Sequence, residues 1–423
     1  MLDIRLLRER LDEVLAMMEQ RGQDPEVARR AAALDERRRE LLVQVEALRH
    51  RRRLASEEVA KIKRSGGDPS EQIAAVRETG DQLRALESHL RQVEEELQGA
   101  WLLVPNMPDP EVLAQGNEPV EVRAWGTPRK FSFEPLAHWD LGERLQILDW
   151  QSAARISGAR FTVFRGRGAR LERALINFML DLHTQEHGYT EIIPPYLVSP
   201  ETAMGSGSLP RLDEDMFRCR EGYYLIPTAE TPLSSLHKGE ILAAEDLPLR
   251  YVAYTPCFRS EAGAAGRDTR GLIRQHQFDK VELFKFTKPE ESASELESLV
   301  ADAEAVLQRL GLPYRVMALG PADIAPQSAK TYDIELWAPG VQRWLEVSSC
   351  SNCRDYQARR TDTRYRPAPG AKPEFVHTLN GSGVALARLV VAILETYQNA
   401  DGTVVLPEVL GPYMGGELVI EPA

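Results

Sequence analysis

Apolar residues over the first hundred positions recur in steps of three and four. Residues 1–22 read as one short amphipathic helix, with Leu7, Leu11, Val14, Leu15 and Met18 on one side. From about Glu26 to Arg64 the rhythm is heptad-like, running Leu41, Val45, Leu48, Arg52, Ala55, Val59, Ile62 and interrupted only by Arg52. Glycine and proline within Ser65–Ser70 (SGGDPS) then stop the helix. A second run keeps the same spacing through Val76, Thr79, Leu83, Leu86, Leu90, Val93 and Leu97. Two such helices joined by a short turn predict an antiparallel coiled-coil hairpin over about residues 26–100. Arms of about 35 residues would each be ~50 Å long at 1.5 Å per residue.

Beyond the hairpin the pattern changes. Residues 105–130 hold Pro105, Pro108, Pro110, Pro119 and Pro128 with little periodicity. We therefore expect an N-terminal domain over 1–104, a connector over 105–130 and a main body over 131–423. In the body, strand-like and helical runs alternate, as in a mixed α+β domain. A helical pattern from Gly168 to Gly188 (Leu171, Leu175, Phe178, Met179, Leu182) leads into strand-like Tyr189–Ile193 and then Pro194-Pro195.

In a chain of 423 residues, 43% hydrophobic and 27% charged residues describe an ordinary soluble composition. The N-terminus mixes acids and bases, unlike a secretory or transit peptide, and no run reaches the ~18 apolar residues of a membrane helix. A cytoplasmic protein without membrane association is expected. The net charge of −12 argues against indiscriminate nucleic-acid binding. Charge is nevertheless segregated in the hairpin: residues 26–64 carry twelve bases against seven acids, and residues 68–98 three against eight. Complementary pairing between the helices explains part of this, but the cluster Arg49, Arg51, Arg52, Arg53 exceeds its near partners and suggests a phosphate-tracking face. Of Cys219, Cys257, Cys350 and Cys353, the last two have CxxC spacing, yet no second pair accompanies them. Reduced thiols without zinc are expected.

The densest chemistry lies between Cys257 and Phe286, CFRSEAGAAGRDTRGLIRQHQFDKVELFKF. Arg259, Glu261, Arg267, Arg270 and Arg274 share this stretch with Ala262, Gly263, Ala264, Ala265, Gly266 and Gly271, and a strand-like run from Phe278 to Phe286 follows. Guanidiniums offer bidentate contacts to phosphate oxygens and glycines let the backbone turn sharply, the combination that polyphosphate recognition needs. A charged surface hairpin would use the same residues, so composition leaves both readings open.

Three shorter stretches are similarly two-sided. In Leu225–Glu230 (LIPTAE), Thr228 and Glu230 suit either substrate contact or a helix cap. In Leu345–Cys353 (LEVSSCSNC), the oxygens of Glu346 and the serines suit magnesium at a strand end, or merely a polar edge strand. Asn380–Arg388 (NGSGVALAR) sets glycines before the apolar run Leu389–Tyr397, with an arginine one turn in that can reach a phosphate.

Phe-Arg-x-Glu, a loop, then His-Gln-Phe-x-x-Val-Glu resembles motif 2 of the class II aminoacyl-tRNA synthetases, and most of all the seryl-tRNA synthetases. The segment ending at Pro195 is similar to motif 1, Asn380–Arg388 to motif 3, and the Thr-Ala-Glu triplet to the amino-acid loop of the seryl enzymes. The resemblance covers essentially the whole chain. It implies a class II catalytic domain, built on an antiparallel β-sheet flanked by helices, behind an N-terminal helical arm. It further implies a homodimer formed through motif 1. The implied reaction activates L-serine with ATP and passes it to tRNA(Ser), with tRNA(Sec) as a further candidate.

By resemblance, Arg259, Glu346 and Arg388 are catalytic. The ATP site would comprise Arg259, Ser260, Glu261, Phe278 and Val281, with Glu346, Val347, Ser348, Ser349 and Arg388. Magnesium would sit on Glu346 and Ser349. Serine would meet Thr228, Ala229, Glu230, Arg259, Glu282, Asn380 and Ser382. The arm would meet tRNA through Arg37, Arg38, Arg49, Arg51, Arg52 and Arg53. Two departures stand out: Ala387 where many members have glycine, and Ser208 where glutamine is common. Other readings are an amino acid:carrier-protein ligase, expected to lack the long arm, and a non-catalytic RNA-binding paralogue, expected to lack Arg259, Glu346 or Arg388.

Overall fold

The computed structural model describes residues 1–262 and 270–422. The chain divides into two compact units, Leu2–Pro105 and Asn106–Ala423 with Met1.

The first unit is helical throughout. The single helix expected over residues 1–22 is instead two, α1 (Ile4–Glu9) and α2 (Leu11–Gln20), because Arg10 leaves the helical region at φ −139°. The predicted hairpin is present as α3 (Glu26–Arg64) and α4 (Ser70–Leu102), of 39 and 33 residues. Leu41, Val45, Leu83, Leu90 and Val93 form its buried seam. Toward the turn the seam thins: Ala55, Val59 and Ile62 are only half-buried and Arg52 is exposed. Buried Asp35 of α3 accepts from Arg8 Nε at 2.7 Å and Arg8 Nη2 at 2.8 Å, which fastens α1 to the hairpin. This double contact holds the Asp35 carboxyl below its ordinary range.

The second unit is built on an eight-stranded sheet. Its strands are β1 (Val120–Trp125), β2 (Thr190–Glu191), β3 (Leu249–Phe258), β4 (Gln277–Thr287), β5 (Tyr314–Ala318), β6 (Lys330–Ala338), β7 (Arg343–Arg354) and β8 (His377–Ala385). They lie in the order β1-β5-β6-β7-β8-β4-β3-β2, with every pair antiparallel except β2–β3. Strand β1 falls within the stretch expected to be an irregular connector. Val120 and Val122 each remain 45% exposed at this edge, so their alternation serves no core and reads weakly.

Helices α5 (Arg167–Gln185), α6 (Ser292–Arg309) and α7 (Leu386–Tyr397) share one apolar cluster with the sheet, through Leu171 and Leu175, Leu296 and Leu299, and Val390 and Ile393 respectively. Burying each such side chain contributes ~1.5–3 kcal/mol. A methyl group at Gly381 of β8 would collide with Leu299 and Cys350, so glycine here lets α6 lie close to the sheet. Among the described residues no helix is long and apolar enough to cross a membrane.

Candidate active site

Strands β3 and β4 pair from Leu249–Phe286 to Phe258–Gln277, and Arg259 follows immediately after β3. The glycine-rich part of the intervening loop, Gly263–Gly266 with Arg267, lies outside the described residues. Side chains alternate along an extended strand. On β4, Phe278, Lys280 and Glu282 accordingly line a cavity of about 420 Å³, whereas Val281 and Leu283 are fully buried in the apolar cluster. Val281, expected to meet the nucleotide, thus turns its side chain into the core. Gln275, not anticipated, lines the cavity.

Thr228 and Glu230 border the cavity from the loop after Leu225, and Glu261 does so beside Arg259. Asn380 and Ser382 reach it from β8 and Arg388 from the first turn of α7. Glu346, Val347 and Ser349 contribute from β7, which is the fourth of eight strands and neither an edge nor a strand end. Residues three apart on a regular strand face opposite ways. Here the register slips: Ile334 pairs with Ser348 and Glu335 with Glu346, leaving Val347 as the extra residue of a bulge. That bulge turns Glu346 and Ser349 toward the same space.

Three expected contacts support neighbours instead of lining the cavity. Ala229 is buried with Leu233 and Phe284. Ser260 Oγ donates to the Glu214 carbonyl at 2.6 Å, and Ser348 Oγ donates to the Ser382 carbonyl at 2.6 Å.

The polar end of the cavity is a connected network. The Thr228 hydroxyl donates to Glu282 Oε2 at 3.0 Å and accepts from Lys280 Nζ at 2.8 Å and Glu230 N at 3.3 Å. A hydroxyl has one proton and two lone pairs, so Thr228 is fully engaged as a hub. Lys280 also forms an ion pair with Glu282, which is 2% exposed. Glu230 Oε1 accepts from Gln357 Nε2 at 2.7 Å, Asn380 Nδ2 at 3.2 Å and Gln327 Nε2 at 3.3 Å. Burial and the nearby Glu282 charge still push the Glu230 carboxyl up to about 7.

At the opposite chemical extreme are two guanidiniums. Arg259 Nε donates to the Pro227 carbonyl at 3.3 Å, and its guanidinium stands 5.1 Å from the Phe278 ring centre. Arg388 donates to the Glu346 carbonyl at 2.6 Å and lies 3.5 Å from its carboxylate. Across from Ser349 on β6 is Asp333, hydrogen-bonded to Ser349 but with Oδ1 buried and unpartnered among the described residues. Burial and the Glu346 charge raise the Asp333 carboxyl to about 8. Glu346, Ser349 and Asp333 together offer hard oxygen donors of the kind magnesium takes, and the orphaned oxygen gives a cation a place to bind.

Two family models match the chain: the seryl-tRNA synthetase N-terminal domain over residues 1–108 and the tRNA synthetase class II core domain (G, H, P, S and T) over 216–397. A serine--tRNA ligase of Geobacillus sp. (strain WCH70) is 57% identical over 423 residues, covering 99% of this chain and 100% of its own. The chain belongs to the seryl-tRNA synthetase family. Among solved structures, the seryl-tRNA synthetase of Pyrococcus horikoshii complexed with ATP matches with a TM-score of 0.93 at 38% identity, covering 100% of both chains. The cytoplasmic serine-tRNA ligase of Naegleria fowleri in complex with AMP matches with a TM-score of 0.87 at 29% identity, covering 99% of this chain and 98% of that one.

Within this seryl-tRNA synthetase family member, the cysteines of the CxxC are free and take separate surroundings. Cys350 packs in the main apolar cluster, while Cys353 lies 3.5 Å from Asn380 Nδ2. On the arm, Arg38 pairs with Glu94 at 3.1 Å, Arg37 with Glu40 at 2.9 Å, and Arg49 with both Glu46 and Glu87 at 2.8 Å. Arg51, Arg52 and Arg53 are exposed and have no carboxylate partner among the described residues; Arg53 shares only a 3.2 Å contact with His50.

Proposed function

We propose that this chain activates L-serine with ATP to give seryl-adenylate and pyrophosphate, then transfers serine to the 3′ end of tRNA(Ser), with tRNA(Sec) as a further acceptor. The observation that carries this reading is one cavity that gathers Arg259 and Arg388 beside the Thr228–Lys280–Glu282 network. Oxygens of a polyphosphate suit the first part, and the ammonium and hydroxyl of a small amino acid suit the second.

In the first step an oxygen of the serine carboxylate attacks the α-phosphorus of ATP, and the bond to pyrophosphate breaks. A ribose hydroxyl of the terminal adenosine of tRNA then attacks the activated carbonyl and releases AMP. Charge develops on phosphate oxygens, so rate comes chiefly from positioning and preorganised positive charge. Arg259 bridges the serine carboxylate and the α-phosphate, Arg388 holds the outer phosphates, and Phe278 offers a flat face to adenine with Glu261 at its amino group. Magnesium, when bound, would add positive charge beside the phosphates, held by Glu346, Ser349 and Asp333. Alanine would leave the buried polar network short of partners, whereas threonine must be kept out by size.

A homodimer through α5 and β2 is part of the proposal, and Ile193, 80% exposed just after β2, supports it. So is tRNA contact by the arm, supported by Arg51, Arg52 and Arg53. The reading places the protein in the cytoplasm.

Amino-acid-dependent ATP–pyrophosphate exchange without tRNA is the first test, with serine expected to be the active substrate. Exchange with glycine or alanine instead would favour a carrier-loading ligase. No exchange from a folded, tRNA-binding protein would favour a non-catalytic paralogue.

The Glu230 carboxyl yields a directional pH effect. Below about pH 7 it holds its proton and offers no charge to the serine ammonium. The Michaelis constant for serine is expected to rise by up to about tenfold per unit as pH falls below about 7. Glu230→Gln should flatten the profile; an unaltered profile in that variant removes Glu230 from this role.

A further inference from the structure

A second cavity, of about 310 Å³, shares Gln275, Phe278 and Ala387 with the first but carries different chemistry. Glu172 of α5 and Asp279 of β4 are its acidic side chains, and Phe161, Phe164 and Phe278 its aromatic ones. Among the described residues no lysine or arginine lines it. Glu172 is only 8% exposed, and its Oε2 has no hydrogen-bond partner among the described residues. Such a buried, unanswered oxygen is uncommon, and none of the catalytic roles above uses it. Asp279 Oδ1 accepts from the Tyr254 hydroxyl at 3.1 Å. Among the described residues the titratable groups facing Glu172 are Asp279 from β4 and Tyr254 from β3, neither of which brings a positive charge. Burial and Asp279 raise the Glu172 carboxyl to about 8, a position that an incoming cation would reverse.

We infer that this cavity is a site for an organic cation, an ammonium or guanidinium on a short aliphatic tether, received by Glu172 and Asp279 between the phenylalanine rings. The dimensions favour such a ligand over a bare metal ion. The volume sits at the lower end of the ~300–1,000 Å³ of small-molecule pockets. Aromatic faces add attraction for an organic cation, while two carboxylates with no nucleotide phosphate beside them would leave most positions of a metal that prefers six or more oxygens unfilled.

Agmatine, which carries one ammonium and one guanidinium on a butyl chain, is the probe. Calorimetric titration of the full chain without nucleotide should show saturable, one-to-one binding. Glu172→Gln, an isosteric change that removes the charge, should weaken it by about tenfold or more. The neutral analogue n-butylurea should not bind. Asp279→Asn provides a second variant with the same expected direction, and thermal midpoints check that both fold. Equal agmatine affinity in both variants, equal binding of n-butylurea, or no agmatine binding to the unaltered chain would each overturn the inference. None of these outcomes bears on the ligase reading, because no catalytic group is altered.

Discussion

Replacing Arg259 with alanine is expected to lower serine-dependent ATP–pyrophosphate exchange by about 10²–10³-fold, the range for removing one preorganised donor to developing charge. The side chain is already held in place within the cavity. Its Nε is tied to the Pro227 carbonyl, and its guanidinium rests against Phe278 at the rim of β4. It has no carboxylate partner among the described residues, so its loss breaks no ion pair and the thermal midpoint should scarcely move. Arg259→Lys keeps the charge but not the planar fork, and should recover only part of the rate. Exchange and thermal unfolding measured on the same preparations decide the matter. Exchange within about tenfold of the unaltered chain would remove Arg259 from the α-phosphate.

Glu282→Ala should act on the other substrate. Serine binding is expected to weaken by about a hundredfold or more, with ATP affinity much less affected, because a charged acceptor is lost and its hydrogen-bonded neighbours are left unanswered. A stability effect accompanies it. Lys280 is 7% exposed, and its ion pair with Glu282 is buried. Removing one member of such a pair costs about 3–5 kcal/mol. Glu282→Gln, which retains an oxygen acceptor for Thr228, should be the milder change and keeps the comparison usable if the alanine variant unfolds. Separate titrations with serine and with ATP provide the measurement. Equal losses in both would count against a serine-specific role.

Much of this site was legible along the chain because strand periodicity is local. Phe278 and Glu282 were expected on one run, and their spacing implies Lys280 between them on the same face. That inference was available from alternation alone, and the same alternation turns Val281 away. Glu346 and Ser349 are different. Their shared face depends on the bulge at Val347, which appears only when β6 is paired alongside. The setting of Glu230 was further out of reach. Its closest amide donor, Gln357, is 127 positions distant, and no local pattern ties the two together. The arm shows the same division. Its heptads predict two paired helices, but the break at Arg10 and the thinning seam toward the turn depend on packing that a repeat does not encode.

The alternation on β4 has a consequence for how the molecule comes to work. This strand of eleven residues presents Lys280 and Glu282 to the cavity and Val281 and Leu283 to the apolar cluster. A slip of one position against β3 or β8 would exchange the two sets, driving two charges into the core. Correct pairing and a competent site are thus decided by the same event. An assembling chain has no active site, even a weakened one, until this register is locked.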